Sequence, residues 1–234
     1  MAMIAASILL FFLLNLLIGS VDIPLSSVVN ILLGGEEQSV VWQNIVLKSR
    51  VPQALTALVA GAGLSISGLQ MQTVFRNPLA GPSVLGISSG ASLGVAFAVL
   101  ISGSIGGVAL SNMGYFGEMA LTISATIGAF AVMAIIVYVS QKVRGNVTLL
   151  IIGVMIGYVA NAIIGVLKYF SVEEDIRAYV IWGLGSFSRV SGDQMVLFVC
   201  LMLVLMPLSF LLIKTMNLLL LGDSYARNLG LHIK

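Results

Sequence analysis

The chain has 234 residues, of which 59% are hydrophobic and 9% are charged. Soluble domains carry about 25% charged residues, so this composition excludes an ordinary water-facing protein. The formal net charge of +2 gives no reason to expect a nucleic-acid partner. The chain has one cysteine and one histidine, which are too few for an internal disulfide or a Cys/His metal site. We therefore expect neither a metal nor a cofactor.

Long segments without any charged residue indicate an all-α transmembrane protein. They cover residues 1–21, 51–75, 77–117, 119–141, 145–167 and 194–213. A helix needs about 20 apolar residues to cross a bilayer, and a helix satisfies all of its backbone polar groups internally. The pattern predicts a polytopic bundle with six spans, at about 3–20, 53–72, 84–101, 119–139, 147–167 and 194–213.

The basic residues suggest how these spans are oriented. One side of the predicted bundle holds six of them, which are Arg76, Lys142, Arg144, Lys214, Arg227 and Lys234. The other side holds five, which are Lys48, Arg50, Lys168, Arg177 and Arg189. The positive-inside rule then places the N-terminus and the ends of spans two, four and six in the cytoplasm.

Two connections on the outer side are predicted to form short helices that do not cross the membrane. The segment from Leu25 to Leu33 follows Pro24 and reads as a surface helix. The segment from Ile176 to Trp182 follows three acidic residues, which favour a helix N-terminus. It is too short to cross, so we expect a re-entrant or interfacial helix.

Small residues recur every four positions in three of the predicted spans. The series are Ala57, Gly61 and Ser65; Gly86, Gly90, Gly94, Ala98 and Ser102; and Gly153, Gly157, Asn161 and Gly165. Such a stripe lets two helix backbones approach closely, either within one subunit or at a subunit interface or pathway. Asn161 is a mid-membrane amide, so it faces either a substrate pathway or a neighbouring helix.

Sequence motifs argue against an enzyme. Residues 86–90 match the G-x-S-x-G pattern of serine hydrolases, but the segment is a predicted membrane helix and the lone histidine lies in the tail, at position 232. There is no G-x-x-x-x-G-K-[ST] phosphate loop, so the chain does not hydrolyse ATP by that route. A secondary transporter remains the alternative, although the predicted spans lack the charged residues that coupling ions usually need.

The tail carries a short predicted helix after the sixth span. Asp223 suits an N-cap and Gly230 suits the residue after a helix C-terminus, which together outline about six helical residues. The segment is too short and too polar to span a membrane. It is either a surface turn or a docking helix for a cytoplasmic partner.

Five motifs together resemble the FecCD-type, or type II, ABC importer permeases for iron siderophores, haem and vitamin B12. They are R-V-P-Q-A-L from Arg50, G-A-G-L-S-I-S-G from Gly61, F-R-N-P-L-A-G-P from Phe75, L-G-I-S-S-G-A-S-L-G from Leu85 and L-G-D-S-Y-A-R-N-L-G from Leu221. The resemblance covers nearly the whole chain and implies a single permease domain over 1–234 that ends in a cytoplasmic coupling helix at about 216–231. It also implies about ten helices, of which roughly the last four lie beyond this chain.

The resemblance implies roles for specific residues. The implied cytoplasmic gate contains Asn77, Leu79, Asn146, Val147 and Thr148. The implied ATPase-coupling segment contains Gly222, Asp223, Ala226, Arg227, Leu229 and Gly230. Arg50, with Lys48, is the implied docking point for a binding protein. Two residues depart from the family pattern: Gln53 stands where a second arginine is usual, and Asp223 where a glutamate is usual.

The resemblance further implies partners and a location. They are two cytoplasmic ABC ATPase subunits, a periplasmic or lipoprotein binding protein, a second copy of the permease in a homodimer, and the lipid of a bacterial cytoplasmic (inner) membrane. The implied mechanism is alternating access without a covalent step in this chain. An iron siderophore is the substrate we expect first, with haem and cobalamin as alternatives.

Overall fold

A computed structural model describes residues 1–35, 39–101, 114–143, 145–188 and 190–231. Within these ranges the chain forms helices and turns and contains no strand. The helices are α1 (Ala2–Leu17), α2 (Leu25–Leu32), α3 (Val40–Ile45), α4 (Val51–Phe75), α5 (Ile87–Ala96), α6 (Tyr115–Ser140), α7 (Asn146–Phe170), α8 (Glu173–Gly183), α9 (Gly192–Phe210), α10 (Ile213–Leu220) and α11 (Asp223–Asn228). A π-helical turn, Val46–Arg50, joins α3 to α4, and another, Phe97–Ile101, extends α5.

The prediction of an all-α membrane protein is confirmed, and each of the six predicted spans falls on a helix. Four helical stretches in the described ranges are long and apolar enough to cross a bilayer: Val40–Phe75, Phe116–Ser140, Val147–Phe170 and Gly192–Phe210. The other two predicted spans correspond to shorter apolar helices, Ala2–Leu17 and Ile87–Ile101. These two are below the roughly 20 residues that a perpendicular crossing requires.

The two short helices predicted between spans are also present, and their place on the outer side stays a prediction. The surface helix predicted over 25–33 is α2, which Gly34 ends in the left-handed conformation (φ +77°). The helix predicted after the acidic residues is α8, which begins at Glu173 and holds all three acids in its first turn. Negative charge there complements the positive end of the helix dipole, which explains why the helix starts where it does.

The chain packs as two compact units. The first contains residues 1–66 and 186–212, and the second contains residues 67–185 and 213–234. The core of the first unit is Leu16, Ile23, Val28, Ile31, Val46 and Ala54. The second has two apolar clusters: Val95, Ala96, Val99, Leu100, Ile164 and Tyr179; and Phe75, Ala80, Leu85, Val132 and Ile136. The assignment of the whole chain to one permease domain stays a prediction.

Glycines of the second unit bring helix backbones into direct contact. A Cβ built on Gly94 would lie 2.1 Å from the Ser124 carbonyl oxygen of α6, and one on Gly128 would lie 2.1 Å from the Gly90 carbonyl oxygen. Only glycine fits such contacts, so Gly90 and Gly94 of the stripe predicted in the third span pack inside the chain, whereas Ser102 lies outside the described residues. By contrast, no described atom lies within 4 Å of a Cβ built on Gly61 or Gly165.

Candidate gate, docking and coupling sites

The turn after α4 contains the first two predicted gate residues. The Arg76 N–H donates to the Thr73 carbonyl (3.3 Å), and the Asn77 N–H donates to the Gln72 carbonyl (3.1 Å). This pair of bonds is a Schellman motif, whose left-handed residue is usually glycine. Here it is Arg76, with φ +48°. A non-glycine residue in a sparsely populated backbone region costs about 1–3 kcal/mol, so something must hold it there.

The tip of this turn is fixed by further hydrogen bonds. The Leu79 N–H donates to the Asn77 Oδ1 (2.9 Å), and the Ala80 N–H donates to the Asn77 carbonyl (3.0 Å). The Gln72 side chain reaches forward and donates to the Pro78 carbonyl (3.1 Å). The Leu79 side chain nevertheless remains 83% exposed. The turn is therefore held by several hydrogen bonds, and it exposes one large apolar side chain.

Both predicted gate segments rest on the same apolar cluster of the second unit. Ala80 and Leu85 belong to that cluster, and Leu149 and Leu150 of α7 pack against it. Asn146 is the first residue of α7, and its side chain lies outside the described residues. Val147 and Thr148 are exposed. Residues close in sequence to both predicted gate segments thus pack in one common core, while the gating role of the segments stays a prediction.

Arg50, the predicted docking residue, is buried and only 5% exposed. Its Nη1 donates to the carbonyls of Leu16 and Leu17, each at 2.8 Å, and its Nη2 donates to the Val21 carbonyl. The last carbonyls of a helix have no partner inside that helix, and an arginine fork can serve several of them. Arg50 therefore caps the C-terminal end of α1. Docking by this guanidinium stays a prediction, whereas Lys48, two residues earlier, is exposed.

Gly19 makes room for this arginine. A Cβ built on Gly19 would lie 2.7 Å from the Arg50 Nη2 and 3.0 Å from its Cζ. Any side chain at position 19 would therefore clash with the Arg50 guanidinium, which is hydrogen-bonded to three carbonyls. The sequence analysis missed this pairing, because a glycine before a polar loop carries no sign of a contact 31 residues further along.

The predicted tail helix is α11, and it spans Asp223–Asn228. Its N-cap is Gly222 (φ +105°), so the prediction that Asp223 is the N-cap was wrong by one position. The Asp223 side chain lies outside the described residues. Gly230 follows the helix with φ +90° and donates to the Arg227 carbonyl (3.0 Å), which confirms its predicted position.

The predicted coupling residues of α11 divide into buried and exposed sets. Ala226 is fully buried within the chain, so its side chain is not available to a partner in this arrangement. Leu229, directly after the helix, is 61% exposed, and Tyr225, which was not among the coupling residues that the resemblance implies, is 65% exposed. Arg227 is exposed as well. A partner could therefore contact Tyr225, Arg227 and Leu229.

A hydrogen bond connects the turn after α4 with the helix before α11. The Arg76 Nη2 donates to the Leu219 carbonyl in the last turn of α10 (3.1 Å). The same carbonyl accepts from the Gly222 N–H (3.2 Å). Positive charge is favourable beside the C-terminal end of a helix. The structure therefore joins two segments that the sequence analysis placed in different sites.

Two further polar residues lie away from these segments. Asn161, the pathway candidate, is exposed on α7, and a pathway role for it stays a prediction. Asp175 of α8 is 2% exposed, and its Oδ2 accepts no hydrogen bond from the described residues. Burial, and after it the neighbouring charge of Glu174, raises the pKa of the Asp175 carboxyl above its usual value. Its place among three adjacent acids gave no sign that this one is buried.

Comparisons with known proteins identify the family of the chain. The FecCD transport family model matches residues 7–234. An iron chelatin transport system permease protein of Helicobacter pylori is 39% identical over 191 residues, which are 80% of this chain and 53% of that protein. The hemin transport system permease protein HmuU of Yersinia pestis is 35% identical over 195 residues, which are 83% of this chain and 55% of that protein. The chain thus spans about half the length of the curated relatives it matches.

The fold has a solved counterpart. A structure described as an inward-facing conformation of a metal-chelate type ABC transporter superposes with a TM-score of 0.76 at 26% sequence identity. The superposition covers 99% of this chain and 68% of that one. The family match extends over nearly all of the sequence, and two relatives exceed 30% identity over four fifths of it. This chain belongs to the FecCD transport family.

Proposed function

We propose that this chain is a membrane-spanning part of the permease of an ATP-driven importer for an iron chelate. The permease acts as a homodimer in the cytoplasmic membrane of a bacterium. A periplasmic or lipoprotein binding protein delivers the chelate, and two ABC ATPase subunits dock from the cytoplasm. An iron siderophore is the first substrate to test, with haem and cobalamin next.

The observation that carries this proposal is the helix pair α10 and α11. It follows the last apolar helix, presents Tyr225 and Leu229 to the outside, and is bonded through Leu219 to the turn that presents Leu79. A short helix with exposed apolar residues suits a groove on a soluble partner. A partner that moves this helix pair would have a direct connection to the turn.

In the proposed mechanism the chain changes only its conformation. ATP binding draws the two ATPases together, and they push on Tyr225, Arg227 and Leu229. The push opens or closes the mouth formed by the two predicted gate segments, 77–79 and 146–148. Asn161 offers an amide to the substrate along the path. No bond of the substrate is made or broken by this chain.

Assembly with the ATPase is tested by Leu229→Arg in the full-length permease. The change places a charge in the proposed contact without disturbing the core, because Leu229 is exposed. Leu184→Arg is the matched control, since Leu184 is 79% exposed and lies just after α8. We expect the ATPase to copurify with the wild type and with Leu184→Arg, and to be lost from Leu229→Arg. Equal recovery with all three proteins would refute the assignment of α11.

The substrate is tested by uptake into liposomes that contain the permease, the ATPase and the binding protein. An iron siderophore, haem and cobalamin are supplied separately, each with and without ATP inside. ATP-dependent uptake of one chelate supports an importer and identifies its class. Uptake that follows an ion gradient and needs no ATP would support the secondary transporter instead.

The gate is tested by Leu79→Cys in a Cys200→Ala background, because Cys200 is exposed and would react as well. If two copies of Leu79 close the inner mouth, a crosslink between the introduced thiols stops transport, and reduction restores it. Transport at the wild-type rate through a crosslinked dimer would remove Leu79 from the gate.

A further inference from the structure

Helices α4 and α11 end in the same hydrogen-bond pattern but with different residues. After α11, Gly230 occupies the left-handed position (φ +90°), and the Leu231 N–H donates back to the Ala226 carbonyl (3.0 Å). After α4, Arg76 occupies that position (φ +48°). Glycine adopts this conformation without steric cost and arginine does not. The backbone of the turn therefore gives no reason for an arginine at position 76.

The Arg76 side chain supplies that reason. It extends from the turn after α4 to the last turn of α10, where its Nη2 donates to the Leu219 carbonyl at 3.1 Å. Leu219 is the next-to-last residue of α10, and its carbonyl also accepts the bond that closes the turn before α11. The guanidinium thus binds the C-terminal end of α10, directly before the turn that leads into the short helix α11. All of these residues belong to the second compact unit.

We propose that Arg76 is a positioning residue that transmits movement of α10 and α11 to the turn carrying Leu79. This inference rests on the proposed function, because it assigns the link between the coupling segment and the gate. Only two residues, Asn77 and Pro78, separate Arg76 from Leu79, and Pro78 and the bond from Leu79 to Asn77 stiffen the chain between them. While the bond to Leu219 is made, a displacement of the α10 end is passed through Arg76 to the turn that carries Leu79.

The key variant is Arg76→Gly in the full-length permease assembled with its ATPase and binding protein. Glycine retains the left-handed turn and removes the guanidinium. Transport and ATP hydrolysis are measured in the same liposomes. We expect the chelate transported per ATP hydrolysed to fall about tenfold. ATPase copurification and unfolding temperature remain near the wild-type values, since the proposed link is neither the docking contact nor part of a core.

Two further variants separate the link from general effects. Arg76→Lys retains a charged donor and should recover part of the coupling. Lys142→Gln removes a positive charge from the turn after α6, where the Lys142 Nζ contacts Tyr138 (2.6 Å to its hydroxyl), and should leave coupling unchanged. A merely structural role for Arg76 would lower the unfolding temperature and leave transport per ATP unaltered, which overturns the proposal.

The outcomes also separate this proposal from the proposed function. If the wild-type permease neither copurifies with an ATPase nor transports a chelate with ATP, the function itself is wrong. If the wild type transports and Arg76→Gly transports the same amount per ATP, only the link through Arg76 is wrong. A loss in Arg76→Gly that also occurs in Lys142→Gln would assign the effect to charge and would refute the link.

Discussion

Two arginines flank helix α4, and each binds carbonyls of another helical segment, but under opposite conditions. Arg50 precedes the helix, is 5% exposed, and donates to three carbonyls at and beyond the end of α1. Arg76 follows the helix, is exposed, and donates to the Leu219 carbonyl in the last turn of α10. The sequence analysis gave Arg50 a partner outside the chain, whereas it used Arg76 only for its charge and as part of the motif that starts at Phe75.

The difference shows how burial decides what such a bond can do. A buried carbonyl that loses its donor remains unsatisfied, so the contacts of Arg50 are costly to break and suit a permanent joint. An exposed carbonyl that loses its donor is taken over by water, so the contact of Arg76 can break and re-form during a transport cycle. We infer that the first arginine holds the fold and that the second serves movement.

The largest expected effect is that of Arg50→Ala. The change removes three charge-assisted hydrogen bonds and leaves carbonyls of Leu16 and Leu17 without a donor, so we expect a loss of about 3–5 kcal/mol in the free energy of unfolding. Thermal or denaturant unfolding of the permease in detergent measures it. Lys48→Ala is the control, because Lys48 is exposed on the same π-helical turn and should change stability by no more than about 0.5 kcal/mol. Equal stability of the two variants would show that Arg50 is no anchor.

The next largest loss of stability is expected for Gly19→Ala. It tests whether the Arg50 guanidinium lies beside residue 19. The added Cβ would lie 2.7 Å from the Arg50 Nη2, so the guanidinium must shift away from its acceptors. We expect a loss of about 1–3 kcal/mol, as for other overpacked sites. Gly61→Ala, where no described atom lies within 4 Å, should instead stabilise the helix by about 0.5–1 kcal/mol.

The same clash predicts strong coupling between the two positions. In an Arg50→Ala background the atoms that Gly19 avoids are gone, so Gly19→Ala should then cost little. The double-mutant cycle therefore gives an interaction energy close to the whole cost of Gly19→Ala. Simple additivity of the two losses would mean that the guanidinium does not lie beside Gly19.

The helices were predictable because their cause is local. A lipid-facing helix must avoid charge along its whole length, so the gaps between charged residues located α4, α6, α7 and α9, and acidic residues located the start of α8. The π-helical turns at 46–50 and 97–101 were not predicted, because nothing in the local sequence distinguishes them from ordinary helix. The two short apolar helices were predicted to be longer than they are, since an apolar sequence also continues into turns.

The sites were less predictable because their partners are distant or are backbone atoms. A carbonyl has no sequence signature, so neither the three acceptors of Arg50 nor the Leu219 acceptor of Arg76 could be read in advance. The left-handed conformation of Arg76 was hidden because that position normally shows a glycine, as it does at Gly230. Ala226 matched the family motif, but a motif does not tell whether a side chain faces the partner or the chain's own interior.

A smaller effect is expected from Lys48→Glu, which tests where a binding protein docks. If the buried Arg50 guanidinium is occupied by carbonyls, an acidic partner must rely more on the exposed Lys48. We expect the affinity for the binding protein to fall by about 1 kcal/mol, roughly fivefold, and the difference to shrink at high salt. Binding measured at two salt concentrations checks both. An unchanged affinity in Lys48→Glu would return the docking role to Arg50.

The smallest effect is the difference in free energy of unfolding between a glycine and an alanine variant at each arginine position. The sign of this difference should be opposite at positions 76 and 50. At position 76 the backbone is left-handed (φ +48°), so Arg76→Gly should be more stable than Arg76→Ala by about 1 kcal/mol. At position 50 the backbone belongs to a helical turn, so Arg50→Ala should be more stable than Arg50→Gly by about 0.5–1 kcal/mol. Four unfolding curves under one detergent condition give both differences, and each pair loses the same side chain, so its contacts cancel. If alanine is preferred at both positions, residue 76 is not left-handed, and the geometry that directs its guanidinium to Leu219 is wrong. If the sign reverses, residue 76 is left-handed, and the arginine stands at a position whose backbone favours glycine.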